Sequence, residues 1–276
     1  MGHTYSSRPT NTDGTISWSW EEHDTWKTLF ERQIYLMQAH ACREHISGIQ
    51  RLGISSESLP QHRDISLRLV RLRSWRVATV PAIVPDTLFY SLLARRRFPC
   101  TSFIRISEEL DYLEEPDIFH EFFGHLPLLT WAPFADFLER FGQCVLHTDE
   151  KYRKYLFRIF WFTVEFGLIK TREGMKIYGA GILSSHGETP RSLDTDQVAH
   201  TRFDPLLCAR TAYRHDVMQS EYFFIEDFDE IFGLFDQDIM DILRSAESLW
   251  DRVSTPSPDS LSPWVSARSP SDRSMG

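Results

Sequence analysis

Apolar residues recur at helical spacing along the first third of the chain. A capping box formed by Ser19 and Glu22 predicts the start of a helix, and Gly53 predicts its end. Residues 64–75 predict a second amphipathic helix with arginines on its solvent face, and residues 76–80 predict a short strand. Three histidines of this stretch are expected at the surface: His23, His40 and His45. These elements therefore predict packing rather than chemistry.

The rest of the chain predicts further helices and a few short strands. Residues 100–106 alternate like a half-buried strand, and residues 134–147 carry an apolar stripe typical of a helix. A long apolar helix is predicted over residues 155–169, a strand over residues 221–226 and a final helix over residues 227–249. The pattern therefore indicates a single domain that is mainly α with a few short β-strands.

The length and composition fit one folded domain with polar ends. The chain has 276 residues, of which 42% are hydrophobic and 13% aromatic, enough for a sizeable core. Residues 1–16 are polar, and residues 251–276 are rich in Ser, Pro and Arg, so both segments are predicted to be disordered. The folded domain is expected to occupy residues 17–250, and a monomer is the expected assembly.

The charge and the cysteines limit the class of partner and the compartment. The formal net charge of −9, with no basic run, argues against a nucleic-acid partner. No apolar stretch approaches the roughly 18 residues that a membrane helix needs, and the first residues lack the apolar core of a signal peptide. Four scattered cysteines without a C-x-x-C pair are typical of reduced thiols. We therefore expect a cytoplasmic protein without membrane or nucleic-acid partners.

Two histidines five residues apart are the strongest chemical signal in the chain. Zinc proteases use H-E-x-x-H, in which the second histidine lies four residues after the first on the same helix face. His120 and His125 are five apart, so on a regular helix the second ring points roughly 140° away from the first. Both rings can bind one ion only if the helix ends or widens near Gly124, which has no Cβ atom. The spacing therefore predicts a metal site unlike that of the proteases.

A lone carboxylate supplies the third candidate ligand. Glu165 lies in the apolar segment of residues 155–169, where Arg158 is the only other charged residue. A buried carboxylate is costly unless it is paired or bound to a metal, and an ion pair with Arg158 is one interpretation. With His120 and His125, Glu165 would instead complete the two-histidine, one-carboxylate set of non-haem Fe(II) oxygenases. The lack of thiolate ligands disfavours a structural zinc site.

Three segments of the sequence resemble one enzyme family. They are DYLEEPDIFHEFFGHLPLL at residues 111–129, FWFTVEFGL at residues 160–168 and YGAGILSS at residues 178–185. Over roughly residues 17–245 the chain is similar to the tetrahydropterin-dependent aromatic amino acid hydroxylases, especially the bacterial phenylalanine hydroxylases. The resemblance implies the catalytic domain of that family, Fe(II) and a tetrahydropterin as cofactors, and O₂ and a free aromatic amino acid as substrates.

The resemblance also implies roles for individual residues. The catalytic iron ligands of the family are matched by His120, His125 and Glu165. Its pterin-binding positions are matched by Ala82, Ile83, Val84, Asp86, Phe89 and Glu121, where Ala82 replaces a frequent glycine. Its substrate-binding positions are matched by Arg105, Pro116, Trp161, Phe166, Gly181 and Ser184. By resemblance, Arg105 would hold the amino-acid carboxylate and Ser184 would hydrogen-bond a ligating histidine.

The residues themselves leave simpler interpretations open for several of these positions. Asp86 is expected to cap a helix, and Phe89 and Trp161 could be ordinary core aromatics. Arg105 could form a surface ion pair, as most arginines do. Asp117 could orient the imidazole of a neighbouring ligand or stabilise the first turn of a helix.

The sequence does not decide which aromatic amino acid is hydroxylated, or at which ring position. Trp161 favours phenylalanine as substrate, because the tryptophan hydroxylases of the family have phenylalanine at that place. Tryptophan 5-hydroxylation and phenylalanine 3-hydroxylation would need the same metal site. Outside this activity, a metal-dependent hydrolase or an inactive iron- and pterin-binding protein would keep the same ligands. His186 is expected to face solvent rather than to be a fourth ligand.

Overall fold

Three helices form the first part of the fold. The computed structural model describes residues 5–111, 115–215 and 217–253, and its first helices are α1 Trp20–His40, α2 Arg43–Leu52 and α3 His62–Arg73. The predicted capping box is confirmed, since the Glu22 N–H donates to Ser19 Oγ and the Ser19 N–H donates to Glu22 Oε2 at 2.7 Å. The second predicted helix is confirmed by α3.

The single helix predicted to run as far as Gly53 is interrupted after His40. Ala41 and Cys42 are extended, and the Cys42 N–H donates to the Ile177 carbonyl oxygen at 2.8 Å. The chain therefore leaves the helix to bond a strand that is distant in sequence. The apolar pattern continues across this break, so the prediction of one helix was wrong. Gly53 does end α2, with a left-handed φ of 57°.

Two parallel strands and one helix follow, in the order β1 Arg76–Thr79, α4 Asp86–Leu93 and β2 Arg97–Cys100. β1 pairs with β2 in parallel. Residues 101–106, predicted as part of a strand, lie outside it. The Thr101 N–H donates to the Glu121 carboxylate at 2.8 Å, and the Ser102 N–H donates to Ser7 Oγ at 3.1 Å. The prediction was wrong because these side-chain acceptors take the place of a neighbouring strand.

The centre of the chain is helical and includes two widened, π-helical turns. The elements are π1 His120–His125, α5 Ala132–His147, α6 Glu150–Phe160 and π2 Trp161–Glu165. Short 3₁₀ turns cover Ser107–Glu109, Leu128–Thr130 and Gly233–Phe235. The helix predicted over residues 134–147 is confirmed by α5. The helix predicted over residues 155–169 ends at Glu165, where π2 ends.

A four-stranded sheet and five helices complete the described fold. The strands are β3 Leu168–Thr171, β4 Gly174–Ile177, β5 Ala199–Arg202 and β6 Glu221–Ile225. Their order is β4–β3–β6–β5, with an antiparallel β3–β4 pair and parallel pairs elsewhere. The helices are α7 Ala180–Leu183, α8 Glu188–Arg191, α9 Pro205–Arg210, α10 Asp229–Phe232 and α11 Ile239–Val253.

The last helix of the chain starts later than predicted. The sequence predicted one helix over residues 227–249, but α10 ends at Phe232 and α11 begins at Ile239. Asp238 Oδ1 accepts a hydrogen bond from the Met240 N–H at 3.0 Å, which provides a new helix start. The strand predicted over residues 221–226 is confirmed by β6.

Aromatic side chains hold the central helices together. Tyr90 of α4 stacks on Phe157 of α6 with ring centroids 5.2 Å apart. Phe141 of α5 lies edge-on to Phe160 of α6, also at 5.2 Å. Such pairs contribute about 0.5–1.5 kcal/mol each beyond the burial of their area. The packing fixes α6, and therefore fixes the turn π2 that carries Glu165.

The N-terminal segment packs on the domain from Tyr5 onward. Tyr5 stacks on Phe103 with ring centroids 4.9 Å apart, and Ser7 Oγ donates to the Val80 carbonyl oxygen at 3.1 Å. The disorder predicted for residues 1–16 is therefore wrong for most of that segment. The reason is that its polar groups bond the backbone of neighbouring loops. The four residues before Tyr5 lie outside the described part of the chain.

The predicted C-terminal tail is described only at its start. Residues 251–253, which the sequence assigned to the tail, belong to the last turn of α11. Residues 254–276 lie outside the described residues. Within the described ranges, every helix is too short or too polar to cross a membrane.

Two histidines are buried structural residues. His45 Nε2 lies 2.7 Å from the Phe123 carbonyl oxygen, and His62 Nε2 lies 2.8 Å from the Thr101 carbonyl oxygen. Burial lowers the pKa of both rings to about 4, so each is neutral and donates from Nε2. His45 was predicted at the surface. That prediction was wrong because α2 is a separate helix that packs against the Leu128–Thr130 turn.

A close helix contact gives a prediction of stability. A Cβ atom at Gly48 of α2 would lie 2.1 Å from the Pro127 carbonyl oxygen. Gly48→Ala must therefore push α2 away from the turn that follows π1. We expect a loss of about 1–3 kcal/mol in the free energy of unfolding, measured by urea denaturation.

The control is Gly233→Ala. A Cβ atom at Gly233 would meet nothing nearer than 3.9 Å among the described residues, and the backbone there is helical. We expect a change within about 0.5 kcal/mol. Equal losses in both variants would contradict the packing argument.

The buried imidazole of His62 makes stability depend on pH. Its pKa is about 4 in the folded chain, below the ordinary value of 6.5, so the unfolded chain takes up the proton first as the pH falls. The contribution of His62 to stability is complete above pH 6.5 and declines toward pH 4, by up to about 3 kcal/mol. In urea denaturation across this range, His62→Gln should show a shallower decline than the parent. Parallel declines would refute the assignment.

Candidate functional site

The segment that carries the two histidines is a π-helical turn. In π1 the Leu126 N–H donates to the carbonyl oxygen of Glu121, five residues earlier, at 3.1 Å. This wider turn brings residues five apart over one another. His120 and His125 can therefore point to the same side, and the predicted widening of the helix is confirmed.

The segment that carries the carboxylate is widened in the same way. In π2 the Phe166 N–H donates to the carbonyl oxygen of Trp161, five residues earlier, at 2.9 Å. Glu165 is the last residue of the turn and is buried. Each ligand-bearing segment therefore departs from a regular α-helix at the ligand itself.

Glycines let the turn around α7 pack against both segments. A Cβ atom at Gly124 of π1 would lie 2.8 Å from the Ala180 carbonyl oxygen, and one at Gly179 would lie 2.5 Å from the Glu165 carbonyl oxygen. The G-x-G sequence around Ala180 is therefore a packing feature, because side chains there would separate the ligand segments. This explains a motif that was a weak signal in the sequence.

The three candidate ligands meet in one cluster, in which His125 and Glu165 are buried and His120 is partly exposed. His120 Nε2 and His125 Nε2 lie 3.0 Å apart, and the Glu165 carboxylate oxygens lie 3.2 Å from His125 Nε2 and 3.7 Å from His120 Nε2. One ligand atom from each residue lies within 4.8 Å of the others. An octahedral ion with metal–nitrogen distances of about 2.1 Å holds adjacent ligand atoms about 3 Å apart. The spacing therefore fits a single metal ion.

The electrostatics of the cluster favour a cation. Burial raises the pKa of Glu165, but the imidazoles of His125 and His120 outweigh it and hold the pKa below its ordinary value. Burial, and then the neighbouring His125, lower the pKa of His120 to about 4, so that ring is neutral. His125 Nε2 lies 3.2 Å from Glu165 Oε1, but neither it nor any other described group meets the geometry of a hydrogen bond to that oxygen. Metal ligation satisfies a buried carboxylate oxygen of this kind.

The alternative ion pair between Glu165 and Arg158 is not formed. Arg158 donates from Nη1 to the Ala209 carbonyl oxygen at 3.2 Å. The basic groups within 4 Å of the Glu165 carboxylate, among the described residues, are the two histidines. His186 is exposed, as expected, and is not part of the cluster.

Ser184 fixes the tautomer of His120. Its Oγ lies 2.9 Å from His120 Nδ1 and donates to the Ala180 carbonyl oxygen, also at 2.9 Å. Because the hydroxyl hydrogen points to that carbonyl, Nδ1 carries the ring hydrogen and Nε2 keeps its lone pair for a metal. The hydrogen bond expected from the family resemblance is therefore present. It lies on the side of the ring away from the ligand cluster.

Arg105 and Asp117 form a buried ion pair beside the histidines. Arg105 Nε donates to Asp117 Oδ2 at 2.9 Å and Nη2 donates to Oδ1 at 3.0 Å. Burial raises the pKa of Asp117, but Arg105 outweighs it and lowers the pKa below its ordinary value. Asp117 Oδ1 also accepts from the His120 N–H at 3.1 Å. Of the two interpretations of Asp117 from the sequence, the structure therefore favours the one in which it stabilises the first turn of a helix. It does not orient an imidazole.

The position of Arg105 differs from a surface ion pair. Its side chain is 8% exposed and lies with the guanidinium carbon 5.9 Å from the Phe119 ring centroid. The bidentate pair with Asp117 holds the guanidinium in a fixed plane. The edge that Asp117 does not occupy keeps further N–H donors.

Glu121 links π1 to the end of β2. Both of its carboxylate oxygens accept from the Thr101 N–H, at 2.9 and 2.8 Å. Burial raises the pKa of Glu121 well above its ordinary range, and the Thr101 N–H opposes the shift only in part. The Glu121 carboxyl group is therefore held by the backbone of Thr101 and is not a member of the candidate ligand cluster.

The residues matched to the pterin site lie in the loop before α4 and in its first turns. Ala82 and Ile83 are half-buried and Val84 is buried. Asp86 was expected to cap the helix, but Pro85 occupies the N-cap and Asp86 is the first helical residue. Proline before a helix supplies a suitable φ without a side-chain cap, so that detail was wrong.

Phe89 lies deeper than a stacking platform. It is 0% exposed and lies edge-on to Tyr90 at 5.1 Å, to Phe160 at 5.9 Å and to Phe98 at 6.3 Å. These contacts match its interpretation as a core aromatic. A heterocycle could reach the Phe89 face only after a neighbouring group moves, so the stacking role stays a prediction.

Residues matched to the substrate pocket gather beside Glu165. The ring centroids of Trp161 and Phe166 lie 4.5 Å apart, and a Cβ atom at Gly181 would lie 2.8 Å from Phe166 Cζ. Pro116 is half-buried and directly precedes the ion-paired Asp117. The structure thus brings together Trp161, Phe166 and Gly181, next to the candidate ligand Glu165.

Three polar residues around Trp161 were missed by the sequence. Trp161 Nε1 donates to Gln219 Oε1 at 3.1 Å, and its ring stacks on Tyr213 with centroids 4.2 Å apart. The Gln219 N–H donates to Glu188 Oε1 at 3.0 Å. Each of these residues lies in a polar stretch of the sequence, where nothing in the pattern distinguishes a buried side chain from a solvated one.

The chain is similar to known proteins along most of its length. The sequence model of the biopterin-dependent aromatic amino acid hydroxylase family matches residues 5–254. The chain is 44% identical over 245 residues to a phenylalanine-4-hydroxylase from Pseudomonas aeruginosa, covering 89% of this chain and 93% of the relative.

Two solved structures show the same fold. The apo structure of the cold-active phenylalanine hydroxylase from Colwellia psychrerythraea 34H superposes with a TM-score of 0.86 at 40% identity, covering 89% of this chain and 95% of that one. The phenylalanine hydroxylase from Chromobacterium violaceum with iron(III) and oxidised 7,8-dihydrobiopterin superposes with a TM-score of 0.81 at 38% identity, covering 92% of each chain. The chain therefore belongs to the biopterin-dependent aromatic amino acid hydroxylase family.

Proposed function

We propose that this chain hydroxylates the ring of free L-phenylalanine to give L-tyrosine, with Fe(II), a tetrahydropterin and O₂. The observation that carries the proposal is the cluster of His120, His125 and Glu165 in a chain of this family. The relative from P. aeruginosa, named as a phenylalanine-4-hydroxylase, supports this substrate and ring position. Trp161 supports phenylalanine over tryptophan, as the sequence resemblance to the family predicts.

The metal would be held by three residues on one side. Two neutral imidazoles and one carboxylate leave a divalent ion with part of its charge and with open coordination positions. Ser184 keeps His120 in the tautomer that binds through Nε2. Together, iron and tetrahydropterin supply electrons and activate O₂, which no side chain can do. With both bound, one oxygen atom of O₂ would enter the ring, and the other would be reduced to the level of water with two electrons from the pterin.

The amino acid would be held by Arg105. Its guanidinium is fixed by Asp117, and the free edge of the fork can accept a carboxylate from the substrate. Asp117 also accepts a hydrogen bond from the His120 N–H, so Arg105 and the histidine-bearing turn π1 are both fixed by Asp117. This arrangement would set the distance between the bound amino acid and the metal.

The pterin would lie between the loop of residues 82–86 and Glu121. The first turn of α4 leaves backbone N–H groups without helical partners, and these can bond a flat heterocycle. The bonds from Thr101 hold the Glu121 carboxyl at the edge of this space. Phe89 would stack on the pterin if the side chains around it open.

The aromatic ring of the substrate would be enclosed by Pro116, Trp161, Phe166 and Gly181. Gly181 admits the ring of Phe166, which in turn contacts Trp161. A pocket built from flat apolar walls excludes water and fixes the ring relative to the metal. Rings of similar size differ only modestly in affinity for such a pocket, so the choice of ring position depends on how these walls are oriented.

We also propose that the protein is a cytoplasmic monomer that needs no nucleic acid. All four cysteines are free thiols, which fits a reducing compartment. The candidate ligand set is complete within one chain. The net charge of −9 continues to predict weak affinity for nucleic acid.

Loss of a ligand should remove the metal without unfolding the chain. We expect His125→Ala and Glu165→Gln to lose stoichiometric Fe(II), measured as iron per protein after anaerobic loading and desalting. Ser184→Ala should weaken iron affinity about 10- to 100-fold, because the ring of His120 loses its orienting bond. The melting temperatures of the metal-free variants should stay close to that of the metal-free parent.

His186→Ala is the matched control for this experiment. His186 lies two residues after Ser184 but is exposed and outside the cluster. It should retain iron like the parent. Full iron retention by His125→Ala or Glu165→Gln would refute the ligand assignment.

The reaction itself can be tested by loading the parent with Fe(II) without O₂. Tetrahydropterin and one aromatic amino acid are then added, air is admitted, and products are identified by chromatography and mass. We expect tyrosine from phenylalanine, and no product before air is admitted.

Other outcomes identify the competing activities. 5-Hydroxytryptophan or meta-tyrosine as the main product would replace the proposed substrate or ring position. Pterin oxidation without a hydroxylated amino acid would indicate an iron- and pterin-binding protein without turnover. Hydrolysis of a substrate without O₂ would refute the proposal.

A further inference from the structure

The indole of Trp161 is held on two faces and at its edge. Tyr213 stacks on it with centroids 4.2 Å apart and an interplanar angle of 12°, and Phe166 lies at 4.5 Å with an angle of 34°. The indole Nε1–H donates to Gln219 Oε1 at 3.1 Å. The ring contacts allow the indole to slide or turn in its plane. The hydrogen bond selects one orientation.

Each polar group of Gln219 takes part in a hydrogen bond, and these bonds fix the side chain. Its side-chain Nε2 donates to the Arg214 carbonyl oxygen at 2.7 Å and to the Val217 carbonyl oxygen at 3.0 Å. Two carbonyl acceptors require the amide nitrogen on that side, so Oε1 must face the indole. Gln219 is 6% exposed. If its amide group were reversed, Oε1 would face two carbonyl oxygens and all three would lack a donor.

A buried carboxyl group holds the backbone of Gln219 in place. Glu188 Oε1 accepts from the Gln219 N–H at 3.0 Å and from the Tyr222 hydroxyl at 2.6 Å. Tyr222 belongs to β6 and Glu188 to α8, so Gln219 is anchored to the sheet and to a helix. The chain of contacts runs from the sheet to Trp161 without an exposed member.

We propose that Gln219 is a positioning residue for the substrate pocket, which fixes the orientation of Trp161 and thereby contributes to the choice of aromatic ring. The inference rests on the proposed function, because it takes Trp161 as a wall of that pocket. Phenylalanine at position 161 would leave Gln219 Oε1 buried without a donor. A change of the ring at position 161 must therefore be accompanied by a change at position 219 if the pocket wall is to keep one fixed orientation.

A double-mutant cycle tests this coupling. The variants are Trp161→Phe, Gln219→Met and the combination, with methionine chosen because it keeps the length of the side chain without its polar atoms. Two quantities are measured for each: the ratio of kcat/KM for phenylalanine over tryptophan, and tyrosine formed per tetrahydropterin oxidised. We expect Gln219→Met to change the ratio by about fivefold or more in the parent, but less than about twofold in the Trp161→Phe background.

A structural measurement complements the kinetics. The indole N–H signal of Trp161 in ¹⁵N-labelled metal-free protein is assigned by its loss in Trp161→Phe. It should shift in Gln219→Met, because the indole loses its acceptor. Tyr222→Phe is the control variant: it removes one bond to Glu188, but Gln219 keeps its own bonds to Glu188, to the Arg214 and Val217 carbonyl oxygens and to Trp161. It should therefore lower the melting temperature with little change in the substrate ratio.

Each negative result identifies which of the two proposals is wrong. A parent that makes no tyrosine overturns the proposed function. If Trp161→Phe leaves the substrate ratio unchanged, Trp161 is not a wall and the inference falls with it. If Trp161→Phe changes the ratio but Gln219→Met has the same effect in both backgrounds, the inference alone is overturned. Should Gln219→Met not fold, Gln219→Asn, which is too short to reach the indole, takes its place with the same expectations.

Discussion

A buried carboxylate oxygen without a hydrogen-bond donor among the described residues is the constraint on which the site depends. Among the described residues, the basic groups within 4 Å of the Glu165 carboxylate are His120 and His125. A metal ion shared among the three would satisfy the oxygen and both ring nitrogens at once. The packing of α7 and the aromatic contacts of α6 serve to hold these groups at ligand spacing.

The sequence predicted the chemistry of the site better than its surroundings. The spacing of His120 and His125 required a widened helix, and the lone Glu165 required a neutralising partner, so both followed from local rules. The break after His40, the burial of His45 and the packing of the N-terminal segment depend on partners far away in sequence. Periodicity carries no information about such partners.

The fold connects the parts of the site through shared anchors. Asp117 bonds both Arg105 and the backbone of His120, and Glu121 joins the histidine segment to the end of β2 through Thr101. Buried networks of this kind are rigid because each polar group has one satisfactory arrangement. The expected positions of amino acid, pterin and metal would therefore depend on one another.

The two widened turns have a consequence for how this site can change over generations. Each turn contains one residue more than a regular helix would. Removing a single residue from either would restore ordinary winding and rotate the segment before the turn by about 100° relative to the segment after it. Substitutions in the walls of the substrate pocket leave this winding unchanged. The number of residues in each of these two turns must stay the same, because that number sets the direction in which the ligand side chains point.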